Sequence, residues 1–315
     1  LSMSKYLIDQ TFDRKGFKML SYFSLLLLVG FILSSLITGR WESSFFVMIF
    51  VSWGIASLII CGNPEPRVIS VLYWLASTYF LILIYLGISP NFALLFGSSS
   101  RNGISVIILI LAVLETFLRF KIGKYPSIWV LLTTVIICSW TLSRSAQIVS
   151  VFYFITLVHL CLRKPSYKYF AVAISITLAV YVVLNLENFE IFSRLANLED
   201  GERSDMINAY INSLNLETIF FGVNLKHTNF LNIAGNPHNS FIYLHSLTGI
   251  FGIIFITITI YSIMKGFFRN KLLFILLVTI LMRGSTDTVF YFDIYDYLPL
   301  SLMTAIFVFK DPKNA

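Results

Sequence analysis

Apolar runs the length of a membrane-crossing helix, about twenty residues, follow one another along most of the chain, with short polar segments between them. The pattern predicts ten spans, roughly 18–38, 44–62, 68–88, 103–119, 126–142, 145–162, 168–186, 239–264, 272–292 and 297–309, the last of them short. The runs lack strict alternation, which points to helices rather than a barrel. Pro64, Pro66, Pro90, Pro126, Pro165, Pro237, Pro299 and Pro312 fall in connections or in the first turn of a span, where a missing N–H costs little. The expected fold is an all-α polytopic membrane protein. Residues 1–315 form one integral membrane domain, and one large outer loop, 187–238, stands within it.

Composition agrees. The chain has 315 residues, a mean hydropathy of +0.81 and 12% charged residues, about half the share in soluble domains. Cys61, Cys138 and Cys161 all lie in apolar runs and read as small core residues rather than a disulfide framework. No cleavable signal peptide is expected, because the first seventeen residues are polar and basic.

Charge orients the spans. With the N-terminus inside, sixteen of the 23 basic residues fall in inner segments, among them Arg14, Lys15, Lys18, Lys121, Lys265 and Arg269. The outer side holds Arg40, Arg101, Arg144, Arg194, Arg203, Lys226 and Arg283. This positive-inside bias predicts that both termini are cytoplasmic. The net charge of +7 then faces anionic lipid headgroups and needs no nucleic-acid partner. Inner loops are too short for a nucleotide-binding domain, and no phosphate-binding glycine loop occurs.

Several polar residues need explaining. Six of the seven outer cations are arginines, whose forks match phosphate oxygens in a bidentate way. Arg144, in "TLSRSAQ", occupies a tight turn, either as a snorkelling residue or as an anion ligand. Arg203 opens "ERSDMINAYINSL", where Met206, Ile207, Tyr210, Ile211 and Leu214 recur at helical spacing and predict an amphipathic surface helix. Arg203 either binds an anion at that helix start or is balanced by Glu199, Asp200, Glu202 and Asp205. Arg283 and Asp287 are four apart, as are Glu115 and Arg119. Both spacings predict ion pairs, and the first lies nearer a site. Asp293 and Asp296 in "DIYDY" read as solvated acids of an exposed turn, with a metal site the weaker reading.

The oddest stretch is "PHNSFIYLHSLTGIFG", Pro237 to Gly252. On one continuous helix His238, His245, Gly249 and Gly252 fall close to a single stripe. The histidines are seven apart, which disfavours a chelating pair. The glycines would let a neighbour approach closely.

His238-Asn239, nine residues, Gly249, two residues and Gly252 resemble the histidine motif of the bacterial O-antigen polymerase and O-antigen ligase superfamily. "LSRSAQIV" looks like its short arginine motif at an outer span start, and "GERSDMINAY" like the arginine motif of its large outer loop. The resemblance covers about 140–290, in a chain shorter than ligases of about twelve spans. It implies an inverting, metal-independent glycosyltransferase of the bacterial inner membrane without a cofactor, its active site on the periplasmic side. The substrates would be oligosaccharides on polyprenyl (undecaprenyl) pyrophosphate. Membrane lipids and a chain-length regulator protein are candidate partners. His238 would be the catalytic base, and Arg144, Arg203 and Arg283 would hold pyrophosphate, with Asn239, His245 and Asp287 in support. The shorter chain favours a polymerase of lipid-linked repeat units, as in lipopolysaccharide biosynthesis. A ligase acting on a lipid A core and a lipid-linked oligosaccharide flippase are the alternatives.

Overall fold

The computed structural model describes residues 13–62, 64–90, 101–161, 201–225 and 239–309, with backbone only at residues 101 and 201–204. The expected span 168–186 and His238 lie outside the described residues. So does most of the expected loop 187–238. Among the described residues the regular structure is entirely helical: α1 (Arg14–Thr38), α2 (Ser43–Cys61), α3 (Pro66–Tyr85), α4 (Arg101–Lys121), α5 (Ile128–Trp140), α6 (Arg144–Cys161), α7 (Gly201–Asn212), α8 (Leu216–Phe221), α9 (Ser240–Thr248), α10 (Ile250–Arg269), α11 (Lys271–Gly284) and α12 (Tyr297–Val308), with a 3₁₀ turn at Ile294–Asp296.

Local chemistry fixes several ends. Asp13 caps α1, its carboxylate accepting the amides of Lys15 and Gly16 at 3.1 and 3.0 Å. Gly39, with φ of 67°, terminates that helix. Pro66 starts α3. Asn270 closes α10 and caps α11 through the Leu273 amide, at 3.1 Å, so these two helices form a hairpin with a single linking residue.

Six helices, α1 to α4, α6 and α10, are long and apolar enough to cross a membrane. At 1.5 Å per residue, α5, α11 and α12 each reach only about 18–21 Å, short of the roughly 30 Å hydrocarbon core. The expected spans at 239–264 and 272–292 are not single helices. The first breaks at Gly249, and the second ends at Gly284, after which the chain folds back irregularly.

The bundle has two halves. Helices α1, α2, α9, α10 and α12 pack together, as do α3 to α6, and α11 joins them by lying against α4, α6, α10 and α12. Its Leu273, Leu276, Leu277 and Ile280 are fully buried. Polarity is inverted relative to a water-soluble bundle. Leu36, Leu75, Trp129 and Phe268 point outward, while Ser52, Ser77, Thr134 and Glu115 are buried, the distribution expected in a lipid solvent. Several interior hydroxyls return to backbone carbonyls: Thr134 donates to Val130 at 2.7 Å and Thr279 to Ile275 at 2.8 Å. Glu115 pairs with Arg119, as their spacing predicts, and accepts from Ser70 at 3.1 Å.

Two ends can be told apart. At one, α1 begins and α4, α10 and α12 finish, and Lys121 donates to the Ile60 carbonyl at the end of α2, at 3.0 Å. This is the basic end. At the other, α9 begins and α11 finishes.

Candidate functional site

The α9 end is assembled around α11. Arg283, one residue before the end of that helix, is 1% exposed. Its Nη2 pairs with Asp287 Oδ2 at 3.2 Å, and its Nη1 donates to Thr286 Oγ1 at 3.2 Å. The expected pair therefore exists, though Asp287 lies past the helix end, in the loop that follows. That loop folds back because Gly284 admits the Phe290 ring: a Cβ there would stand 2.8 Å from it.

The same loop grips the start of α9. Asn239 caps α9 by accepting the amides of Phe241 and Ile242 at 2.9 and 3.1 Å, and its Nδ2 donates to the Ser285 carbonyl at 3.1 Å. The buried Ser240 hydroxyl donates to the Asp287 carbonyl at 2.8 Å and accepts the amides of Val289 and Phe290 at 3.0 and 3.1 Å. Asn239 and Ser240 thus tie the first turn of α9 to the segment that carries Asp287. His238 adjoins this anchor in sequence. Its own position lies outside the described residues.

Beyond the loop, Tyr291 and Phe292 both adopt left-handed backbone, with φ of 69° and 67°, an arrangement that aims successive amides into one concavity. Asp296 fills it. Its carboxyl accepts Tyr291 N, Phe292 N at 2.6 Å and Asp293 N at 3.3 Å. It is 2% exposed, so the expected solvated turn is corrected: Asp296 is an internal anchor, buried within the loop it organises. Burial pushes its carboxyl up to about 8, against the pull of those amide donors. Asp293 is also raised by burial. Among the described residues no group of three or more histidines, cysteines and acids converges as a metal site would require.

His245 sits two turns into α9 and is 8% exposed. Its Nε2 lies 3.1 Å from the Ile219 carbonyl, which can only accept, so Nε2 carries the hydrogen. Nδ1 then accepts from the Tyr210 hydroxyl. One imidazole joins α7, α8 and α9. Tyr210 and Met206 are buried against Val223 and Leu225, while Ile207 and Ile211 face outward. The expected amphipathic helix at the Arg203 motif is present. The Arg203 side chain lies outside the described residues.

The glycines of the motif do not lie on one helical stripe. Gly249 has φ of 54° and ψ of −129° and ends α9. A Cβ on it would stand 2.1 Å from the Phe220 carbonyl. At Gly222, with φ of 87°, a Cβ would stand 2.4 Å from the Ser246 carbonyl on the other side. In an unbroken helix Ser246 would accept from residue 250; here Val223 N donates to it, at 3.1 Å. The end of α8 is therefore wedged into the break. Gly252 keeps clear of Thr248 Oγ1, 2.6 Å from where its Cβ would be.

Arg144 is the first residue of α6, half-buried at the α5–α6 turn. That turn is fixed by Leu142 at φ of 54° and by Gln147 donating to the Ser139 carbonyl at 3.2 Å. Because α6 packs on α11 and Cys138 lies within electrostatic reach of Arg283, Arg144 and Arg283 share this end of the bundle.

Sequence reasoning passed over Arg40. It follows α1, and its side chain is only 9% exposed. Glu42 stands 3.6 Å away, yet among the described residues the buried Nε and Nη1 find no hydrogen-bond acceptor. Its guanidinium is 5.9 Å from the Phe45 ring, which packs on Tyr243 of α9. The only signal in the sequence was a lone arginine in a short outer connection.

The chain matched nothing when compared with protein-family models, with curated proteins and with solved structures.

Proposed function

We propose that this protein is a glycosyltransferase that polymerises lipid-linked polysaccharide repeat units, moving the growing glycan from polyprenyl pyrophosphate to an incoming lipid-linked unit. The observation that carries the proposal is the clamp of Asn239 and Ser240 onto the Ser285–Phe290 loop. It fixes the residue after His238 beside a buried arginine, at the end of the bundle that also holds Arg40 and Arg144.

The chemistry follows from that grouping. The acceptor hydroxyl oxygen attacks the anomeric carbon of the donor sugar. The bond from that carbon to the pyrophosphate oxygen breaks, and the pyrophosphate leaves with the electron pair. The anomeric centre inverts, and His238, whose ordinary pKa of about 6.5 suits the task, takes the hydroxyl proton. Arg144 and Arg203 bind the departing pyrophosphate as bidentate forks. Stabilising charge as it develops in a dry site is the largest single contribution to such a step. Arg283 adds positive field from beneath while holding Asp287 and its loop in place. Asn239 positions the start of α9, and His245 fixes α7 against it. The α9 end then faces the periplasm, and the basic end faces the cytoplasm.

The deciding experiment incubates the purified protein with lipid-pyrophosphate-linked repeat units. A ladder of products that disappears in His238→Ala supports the polymerase. Transfer only to a lipid A core acceptor would make it a ligase. Binding without turnover, with translocation of the lipid in vesicles, would make it a flippase.

A further inference from the structure

At the basic end a cavity of about 590 Å³ opens between the first turns of α1, the last turn of α10 and the end of α12. Five cations line it: Arg14, Lys15, Lys18, Lys265 and Arg269. No acid is among its described lining residues. Lys15 and Arg269 both lie within electrostatic reach of Lys265, so like charges repel one another across the cavity.

Helix ends explain only part of this. Lys265 and Arg269 stand near the C-terminus of α10, where cations are favoured. Arg14, Lys15 and Lys18 are at the N-terminus of α1, where the macrodipole disfavours them, and no acid occupies that first turn. Asp13 caps the two free amides and does not line the cavity. Three cations placed against a helix dipole, facing two more across a cavity, call for an external anion.

The remaining lining is apolar. Tyr22 and Phe307 contribute to it, and Lys265 Nζ stands 3.8 Å over the Phe307 ring. A charged rim above an aromatic floor suits a ligand with a phosphate head and a hydrocarbon tail. The geometry points to a binding site for a lipid-borne phosphate at the basic end, separate from the α9-end site and standing whether or not the glycosyltransferase reading holds.

The test uses the full chain in mild detergent, followed by thermal unfolding during titration with cardiolipin, phosphatidylcholine or inorganic pyrophosphate. Cardiolipin is expected to raise the melting temperature saturably, phosphatidylcholine to leave it unchanged, and pyrophosphate to act only weakly. The triple variant Lys18→Gln/Lys265→Gln/Arg269→Gln should weaken apparent cardiolipin affinity about a hundredfold, from the usual contribution of each basic residue. Lys265→Gln alone, a milder change should the triple variant fold poorly, should weaken it about fivefold. Arg67→Gln/Lys124→Gln, cations outside the cavity, should retain full affinity. Pyrophosphate acting as strongly as cardiolipin would replace the lipid with a soluble anion. Equal affinity in Lys265→Gln and the wild type, or an equal loss in Arg67→Gln/Lys124→Gln, would overturn the site.

Discussion

The Tyr210 hydroxyl donates to His245 Nδ1, and the opposite nitrogen of the same ring donates to the Ile219 carbonyl. A histidine satisfied on both sides is held as a neutral connector between three helices. Tyr210→Phe leaves Nδ1 unpaired in a buried site, which costs about 1–3 kcal/mol. His245→Ala removes both bonds and should cost more. Thermal unfolding in detergent checks the order. Activity of the Tyr210→Phe protein that does fold should stay near wild type, because neither group meets substrate in the proposed reaction.

Gly249→Ala should be among the most damaging single changes in the chain. The added methyl would meet the Phe220 carbonyl, a backbone atom that cannot rotate away, at a φ unsuited to any side chain. Gly222→Ala meets the Ser246 carbonyl in the same way. Each should lower the yield of folded protein severely, by more than about 3 kcal/mol of stability. Gly54→Ala has open space and serves as the control, with no expected loss.

Asp296 makes stability depend on pH. Its carboxyl is raised by burial to about 8, whereas an unfolded aspartate titrates near 4, about its ordinary value. The fold therefore favours the neutral form. That contribution is full below about pH 4 and is lost as pH rises through about 8. The melting temperature should fall between mildly acidic and mildly alkaline buffers. Asp296→Asn should flatten this dependence at a lower overall stability, since its amine would turn toward one of the amide donors. A slope unchanged in Asp296→Asn would assign it to another group.

For the proposed reaction, His238→Ala should abolish turnover in a protein of normal abundance. Arg144→Ala and Arg203→Ala should each reduce product formation about a hundredfold, the usual cost of removing one group that stabilises developing charge. Lysine at either position should recover little, since a point charge cannot reproduce the fork. Arg40→Ala should also impair turnover, with donor binding measured in parallel. Wild-type rates in all of these variants would refute the assigned site.

Much of the fold was legible because its causes are local. Pro66, Gly39 and the Ile128 and Arg144 helix starts fall within a few residues of their expected places. The Glu115–Arg119 and Arg283–Asp287 pairs follow from spacing alone. The break at Gly249 was not legible, since the apolar run continues on both sides and the reason for the glycine is a carbonyl some thirty residues away in sequence. Asp296 looked solvated because nothing local announces that Tyr291 and Phe292 will turn left-handed around it. Arg40 looked like an ordinary loop cation because its burial comes from Phe45 and the neighbouring α9, a tertiary effect.

The wedge of α8 at Gly249 has a mechanical consequence. With Val223 bonded to the Ser246 carbonyl in place of residue 250, α9 and α10 are two helices meeting at a break rather than one rod. A rotation begun at Arg269, at the far end of α10, has no continuous ladder through which to reach Asn239. The link between the two ends of the molecule at this point is therefore the packing of α8 into the break, and not a helical hydrogen-bond ladder.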